Sequence, residues 1–191
     1  MYKRLGIMLD TETFGLSAGS VCTEIAAVPF DLKNPSIKEI PQYVRGYLPV
    51  DPQLNMGRTI DAETLSFWLT EGLAARTKIA ENISGDHERY EAELRRIFRT
   101  IKGWIYQADE VEIYCKGSDF DIPILSSLVA SIDLKLPWKY DMVRDLRTIA
   151  KRAGVSSHDI TPPKDFVKHS AYSDCKFQIL LYAAVLEAEG E

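Results

Sequence analysis

The sequence predicts a mixed α/β domain, from three observations. Three short apolar runs stand near the start, the hydrophobic period changes from two to three and four residues after residue 61, and helical stretches then alternate with further strand-like runs. The first run, Tyr2 to Leu9, is apolar and ends in polar residues, which suits a buried strand. Thr23 to Phe30 is a second strand, rich in Ile, Ala and Val, and Gln42 to Leu48 a third with alternating character. Short polar links join the three, so they predict an antiparallel meander.

From Asp61 the spacing of Leu65, Trp68 and Leu69 predicts a helix. A longer one follows, with Tyr90, Leu94, Ile97, Phe98, Ile101 and Ile105 on one stripe and Glu and Arg opposite. Val111 to Cys115 reads as a fourth strand, Ile122 to Val129 as a helix, Lys139 to Met142 as a short fifth strand and Arg144 to Arg152 as a helix. Pro162 and Pro163 keep the stretch from Gly154 to Lys168 out of helix. Tyr172 to Glu187 closes the chain as a helix, with Cys175, Ile179, Tyr182 and Leu186 at spacings of four, three and four.

Composition narrows the class. With 191 residues, 46% hydrophobic and 27% charged, the chain reads as a single domain over 1–191 and excludes disorder and collagen. A domain of this size buries roughly 70% of its unfolded surface, enough for a core without staples. Cys22, Cys115 and Cys175 are too few and too scattered for a disulfide framework or a zinc site, which points to a reducing cytoplasm. No apolar run approaches a membrane span, and the apolar residues after Lys3 and Arg4 are interrupted by Asp10 too soon for a secretory leader. The formal charge of -5 gives no global field for a polyanion, so nucleic acid would have to be held by local cations or bound metal.

Four places carry candidate chemistry. In Asp10-Thr11-Glu12-Thr13, residues two apart on an extended segment point the same way, so Asp10 and Glu12 present two carboxylates together. Acids also commonly decorate strand ends. After the fourth strand comes Lys116-Gly117-Ser118-Asp119-Phe120-Asp121, at the place where α/β sheets bind ligands. Asp119 reads equally as the N-cap of the next helix, whereas Asp121 is aimed by its neighbour Phe120. In His169-Ser170-Ala171-Tyr172-Ser173-Asp174, five residues on one helix would turn a side chain by about 140°, so His169 and Asp174 share a cleft only if His169 sits on the entry turn. Ser170 then serves as N-cap. His87 and His158 are assigned to surface or capping roles.

These motifs, D-x-E at Asp10 and Glu12, F-D at Asp121 and H-x4-D at His169 and Asp174, resemble in order the three exonuclease motifs of the DEDDh family. The sequence is similar to the ribonuclease T and proofreading-subunit relatives. Closer similarity lies with the branch of T-even phage exonuclease A and bacterial 3′-5′ exoribonucleases. It is carried by Thr64-Leu65-Ser66-Phe67-Trp68-Leu69, the run Gly117 to Leu125 and Arg144-Asp145-Leu146-Arg147-Thr148. The DEDDy subgroup has a tyrosine where this chain has Ser170, so the histidine subgroup fits; Phe14 stands where many relatives have a smaller residue.

The resemblance implies an RNase H-like mixed sheet flanked by helices, and a 3′-5′ exonuclease acting on the 3′ end of single-stranded RNA or DNA, with RNA slightly favoured. Four converging carboxylates repel unless cations neutralise them, and oxygen ligands select Mg²⁺ or Mn²⁺. The resemblance has Asp10 bridge two ions, Glu12 and Asp174 complete the first, Asp121 support the second, and His169, of ordinary pKa about 6.5, accept a proton from water. Phe14 and Leu16 are candidates to wedge the terminal base, with Trp68 and Phe67 as further candidates, although an aromatic pair on an amphipathic helix is more often core. Arg144 and Arg147 are candidates for phosphate, a salt bridge or solvated face being an equal reading; the backbone of Thr11 and Thr13 is implied to meet the terminal sugar. The family also makes a homodimer plausible. Two rivals are an aspartyl-phosphate phosphatase, which leaves His169 and Asp174 without a role, and a binding module on the same fold.

Overall fold

The computed structural model describes residues 3–38, 40, 42–70 and 73–190. Strand β1, Arg4–Thr13, is buried along nearly its whole length, as an apolar run covered on both faces must be. It pairs antiparallel with β2, Cys22–Asp31, which pairs antiparallel with β3, Val44–Tyr47. On its other side β1 runs parallel to β4, Glu110–Cys115, and β4 parallel to β5, Val143–Asp145. The sheet order is therefore β3-β2-β1-β4-β5, the expected meander extended by parallel strands.

The period of two splits β1 between two cores. Leu5, Ile7 and Leu9 face one cluster with Tyr90, Leu94, Ile97 and Ile101 of α4, His87–Ile105, and with Ile124, Leu125 and Leu128 of α5, Ser118–Ala130. Met8, with Ala26, Val28 and Phe30 of β2, faces Leu146 and Ala150 of α6, Leu146–Arg152, and Cys175, Ile179 and Tyr182 of α7, Ala171–Glu189. Helices thus cover both faces. A third, smaller cluster joins Phe14, Val21 and Val50 to Trp68 of α2, Ala62–Thr70. Two further helices that the periodicity does not reveal are α1, Val50–Asn55, and α3, Leu73–Asn82. One is under two turns long and the other has no clear apolar stripe. Among the described residues no helix is long and apolar enough to cross a membrane.

Several boundaries differ from the sequence reading. Tyr2 lies outside the described residues, and β1 continues to Thr13, so Asp10 and Glu12 are inside the strand, still paired with Ala26 and Glu24 of β2. The expected strand at Lys139 to Met142 is instead a 3₁₀ turn over Tyr140–Met142, and pairing with β4 begins at Val143, opposite Ile113. The helix expected from Arg144 starts at Leu146 because the Asp145 carboxylate accepts from Thr148 N at 2.7 Å and caps it. The helix expected from Ile122 starts one turn earlier, at Ser118. Its N-cap is Gly117, not Asp119, in a left-handed conformation (φ 118°) that favours glycine.

Candidate active site

β1 runs parallel to β4 as far as Met8, opposite Tyr114, and continues past the end of β4 to Thr13, while a two-residue turn leads β4 into α5; side chains converge where β1 extends beyond β4. Asp10 and Glu12 lie on the same side of β1 as Met8, the side covered by α7. Asp174, one turn into α7, meets them there: ligand oxygens of Asp10, Glu12 and Asp174 all lie within 4.8 Å of one another. Thr11 points the other way, toward α5, where its hydroxyl donates to Asp121 Oδ1 at 2.7 Å. Asp121 is buried beside the trio, and its charge is the strongest carboxylate influence on Asp10.

The electrostatics follow from crowding. Burial, then the neighbouring Asp121, Glu12 and Asp174, hold the Asp10 carboxyl well above the usual range, against a 2.7 Å hydrogen bond from Gln178 Nε2. Burial pushes Asp121 up to about 7, opposed by the hydroxyl and amide of Thr11 and by the charge of Arg147. Burial likewise pushes Asp174 up to about 6, opposed by the amides of Ser170 and His169 and by Lys116. Such a cluster has a high affinity for positive charge, and its hard oxygen donors suit a divalent cation.

His169 sits on the entry turn, with φ 59°, and Ser170 is the N-cap of α7, as the spacing requires. The imidazole packs edge-on against Phe67 (4.9 Å between ring centres) and Trp68 (5.9 Å). It also lines, with Lys116, His158, Asp174 and Gln178, a cleft of about 400 Å³ beside the acids.

The remaining sequence candidates divide. Leu16 is 74% exposed at the tip of the loop after β1, which is pinned by Leu16 N donating to Asp61 Oδ2 and by Arg58 donating to the carbonyls of Ala18 and Ser20. Phe14 and Trp68, by contrast, are 5% and 4% exposed. Their rings meet edge to face in the small core and the indole donates to Thr13 O, so burial removes both from the surface a base would reach. Phe67 is the half-exposed ring of that group. The hydroxyls of Thr11 and Thr13 are buried and spent internally, on Asp121 and on Gly15 O. Arg144 pairs with Glu112 at 2.9 Å and donates to the carbonyls of Asp141 and Val143, the salt bridge that its sequence reading also allowed. Arg147 donates to Lys116 O beside Gly117 and remains within electrostatic reach of Asp121.

Gln178 was not anticipated. It lies four residues after Asp174, hence on the same helix face, and that spacing was the signal available. Lys116 and His158 also reach the cleft; only the folding of the 154–168 segment against α7 brings His158 there.

The mixed five-stranded sheet flanked by helices is an RNase H-like fold, and by its family this chain is a 3′-5′ exonuclease. It belongs to the family described as the 3′-5′ exoribonuclease Rv2179c-like domain, whose profile matches residues 6–186. No curated protein sequence matches it significantly. Among solved structures it is similar to Exonuclease X in complex with 5′ overhanging duplex DNA (TM-score 0.57, 16% identity, 97% of this chain and 93% of that one). It is also similar to a full-length 3′-exonuclease (TM-score 0.58, 13% identity, 100% and 84%). A third is E. coli Exonuclease I in complex with a dA16 oligonucleotide (TM-score 0.59, 16% identity, 96% and 41%). The chain thus spans about two fifths of Exonuclease I, and at these identities the likeness is one of fold.

Proposed function

We propose that this exonuclease removes nucleotides one at a time from the 3′ end of single-stranded nucleic acid, RNA in preference to DNA, with two divalent cations and His169 as general base. The observation that carries the reading is the convergence of Asp10, Glu12 and Asp174 within 4.8 Å, with Asp121 beside them and His169 on the same rim. The preference for RNA rests on the family's description, and a single-stranded substrate on the oligonucleotide bound by Exonuclease I. The run from Gly117 to Leu125 supports placement in the branch of T-even phage exonuclease A and bacterial exoribonucleases. Three free, buried cysteines suit a cytoplasmic setting.

Asp10, Glu12, Asp174 and Asp121 are the residues that would hold Mg²⁺ or Mn²⁺, and the donor set fits: all oxygen, crowded, and partly or fully withdrawn from water. When bound, such ions neutralise the carboxylates, acidify water and stabilise the departing 3′ oxygen. The chain's own residues supply the rest. Gln178 fixes one oxygen of Asp10, and Thr11 fixes one of Asp121. His169 accepts the proton of the attacking water at an imidazole nitrogen, so no covalent enzyme intermediate arises. Leu16 and the exposed part of Phe67 flank the terminal base, with Phe14 and Trp68 as their buried support.

The test is a gel assay in Mg²⁺ with 3′-labelled and 3′-blocked oligonucleotides, run on matched ribo- and deoxyribo-sequences. Release of labelled mononucleotide from free 3′ ends, faster on RNA, is expected. Degradation of blocked ends at an equal rate, or a trapped phosphate on Asp10 as a phosphatase requires, would refute the proposal.

A further inference from the structure

The turn that presents His169 is held by side chains of the neighbouring strands β2 and β3, on the face of the sheet that α7 covers. Glu24 of β2 is 2% exposed and lies directly across from Glu12 of β1. Its Oε1 accepts from Arg45 Nε of β3 at 2.7 Å, and the backbone amides of Ala171 and Tyr172, the first of α7, stabilise its charge. The other arm of the same guanidinium, Nη2, donates to Ser170 Oγ at 3.0 Å. Ser170 N in turn donates to Asp174 Oδ2 at 3.2 Å.

A serine at a helix N-cap ordinarily spends its hydroxyl on the amides of its own first turn. Here it makes no such bond: the hydroxyl, on a residue 5% exposed, is committed to Arg45, and Glu24 from another strand faces the helix amides in its place. The residue just before, His169, holds a positive φ, uncommon for a residue with a side chain and costly unless neighbouring contacts support it. We propose that Arg45, clamped by Glu24 and acting through Ser170, is a positioning residue that fixes the left-handed turn of His169 and so aims the imidazole at the acid cluster. The inference rests on the exonuclease reading above. It is specific to the fork of arginine, because two acceptors in different elements are met by two nitrogens of one planar group, which lysine cannot do.

The experiment uses Ser170→Ala and Arg45→Lys, which keep the fold-determining charge of the Glu24 pair, since outright removal of one buried partner risks unfolding. Each is expected to lower kcat on a 3′-labelled oligonucleotide by about tenfold to a hundredfold, the effect of misaligning a reacting group, with KM and the calorimetric Mn²⁺ titration changed less than about twofold. The double variant should be no slower than the slower single one. In a His169→Ala background the same substitutions should cause no further loss, which distinguishes aim from general structural damage. Wild-type kcat in both single variants, or losses that multiply with His169→Ala, overturns the positioning role while leaving the exonuclease standing. Failure of the unmodified protein to release mononucleotide from 3′ ends overturns both.

Discussion

At the scale of single residues the site is a problem of like charge, and the neighbours of each acid show how it is contained. Asp10 keeps one oxygen on Gln178, Asp121 keeps one on Thr11, and Asp174 receives the amide of Ser170. Gln178→Leu removes the donor from Asp10 without changing charge or much volume. It should weaken Mn²⁺ binding by about 10- to 100-fold, the usual effect of losing a group that orients a metal ligand, and an unaltered titration would show that Asp10 needs no such support. His169→Ala is expected to cut kcat by about 10²- to 10⁴-fold, the range for a general base, with the Mn²⁺ titration retained. Turnover near wild type across the pH range would remove His169 from the reaction.

Secondary-structure elements act here as mounts whose ends matter more than their middles. α5 is capped by Gly117, whose φ of 118° lets the chain turn from β4 into a helix within two residues, and Asp121 falls in its first turn as a consequence. A Cβ at Gly117 would stand 2.7 Å from Arg147 Nη2, so Arg147, which influences Asp121, also depends on that glycine. Asp145 links the same region to α6. Burial works to raise its carboxyl, but the hydroxyl and amide of Thr148 and the amides of Ser118 and Gly117 hold it below the usual carboxylate range. Asp145→Ala therefore removes a cap, and should lower stability by about 1 kcal/mol in urea unfolding. Because the folded value is depressed, that contribution is present above the unfolded carboxylate's pKa and disappears as pH falls through the folded one. An equal effect of the substitution at neutral pH and below pH 3 would contradict the assignment.

The whole molecule carries the sum of these local imbalances. Asp121 and Asp174 are raised to about 7 and about 6 by burial, and Asp10 is raised well above its ordinary value. The sign is that of a group that prefers its proton in the folded state: its stabilising contribution is complete below about pH 4, where the unfolded carboxylate titrates, and is lost as pH rises through about 6 to 7. In chelator, the melting temperature should therefore fall between pH 5 and pH 8, by about 2 to 4 °C for each kcal/mol lost. Saturating Mn²⁺ should raise it more at pH 8 than at pH 5, since the ionised cluster binds the cation more tightly. Equal gains at the two pH values would mean that the three acids do not share one cation-binding site.

Much of this architecture was legible before folding because it depends on local periodicity. The alternation in β1 and the stripe of α4 report directly which face each residue buries, and the polar kink at His169 announces an entry turn. The limits of the reading are equally physical. The stretch from Lys139 to Arg144 looks extended at its start, yet the register with β4 decides where pairing begins. Phe14 and Trp68 are large aromatic rings, a feature shared by a base-stacking ring and a core ring; only packing against Val21, Val50 and each other separates the two. Arg144 could meet phosphate or carboxylate from its sequence alone, and only the pairing of β5 with β4 puts Glu112 within 2.9 Å of it.

By itself, then, the chain's order of residues determined four of the sheet's five strands and its principal helices, because strand alternation and helix spacing are properties of neighbours, while the five side chains assigned to chemistry were singled out by the order of their motifs through the family resemblance. Only the tertiary structure decided that Asp10, Glu12 and Asp174 meet within 4.8 Å, that Gln178 and Thr11 hold two of the acids, and that Arg45 reaches Ser170 across 125 positions of sequence. Distances between residues far apart in the chain are set by how cores pack on the two faces of one sheet, and no local pattern encodes them.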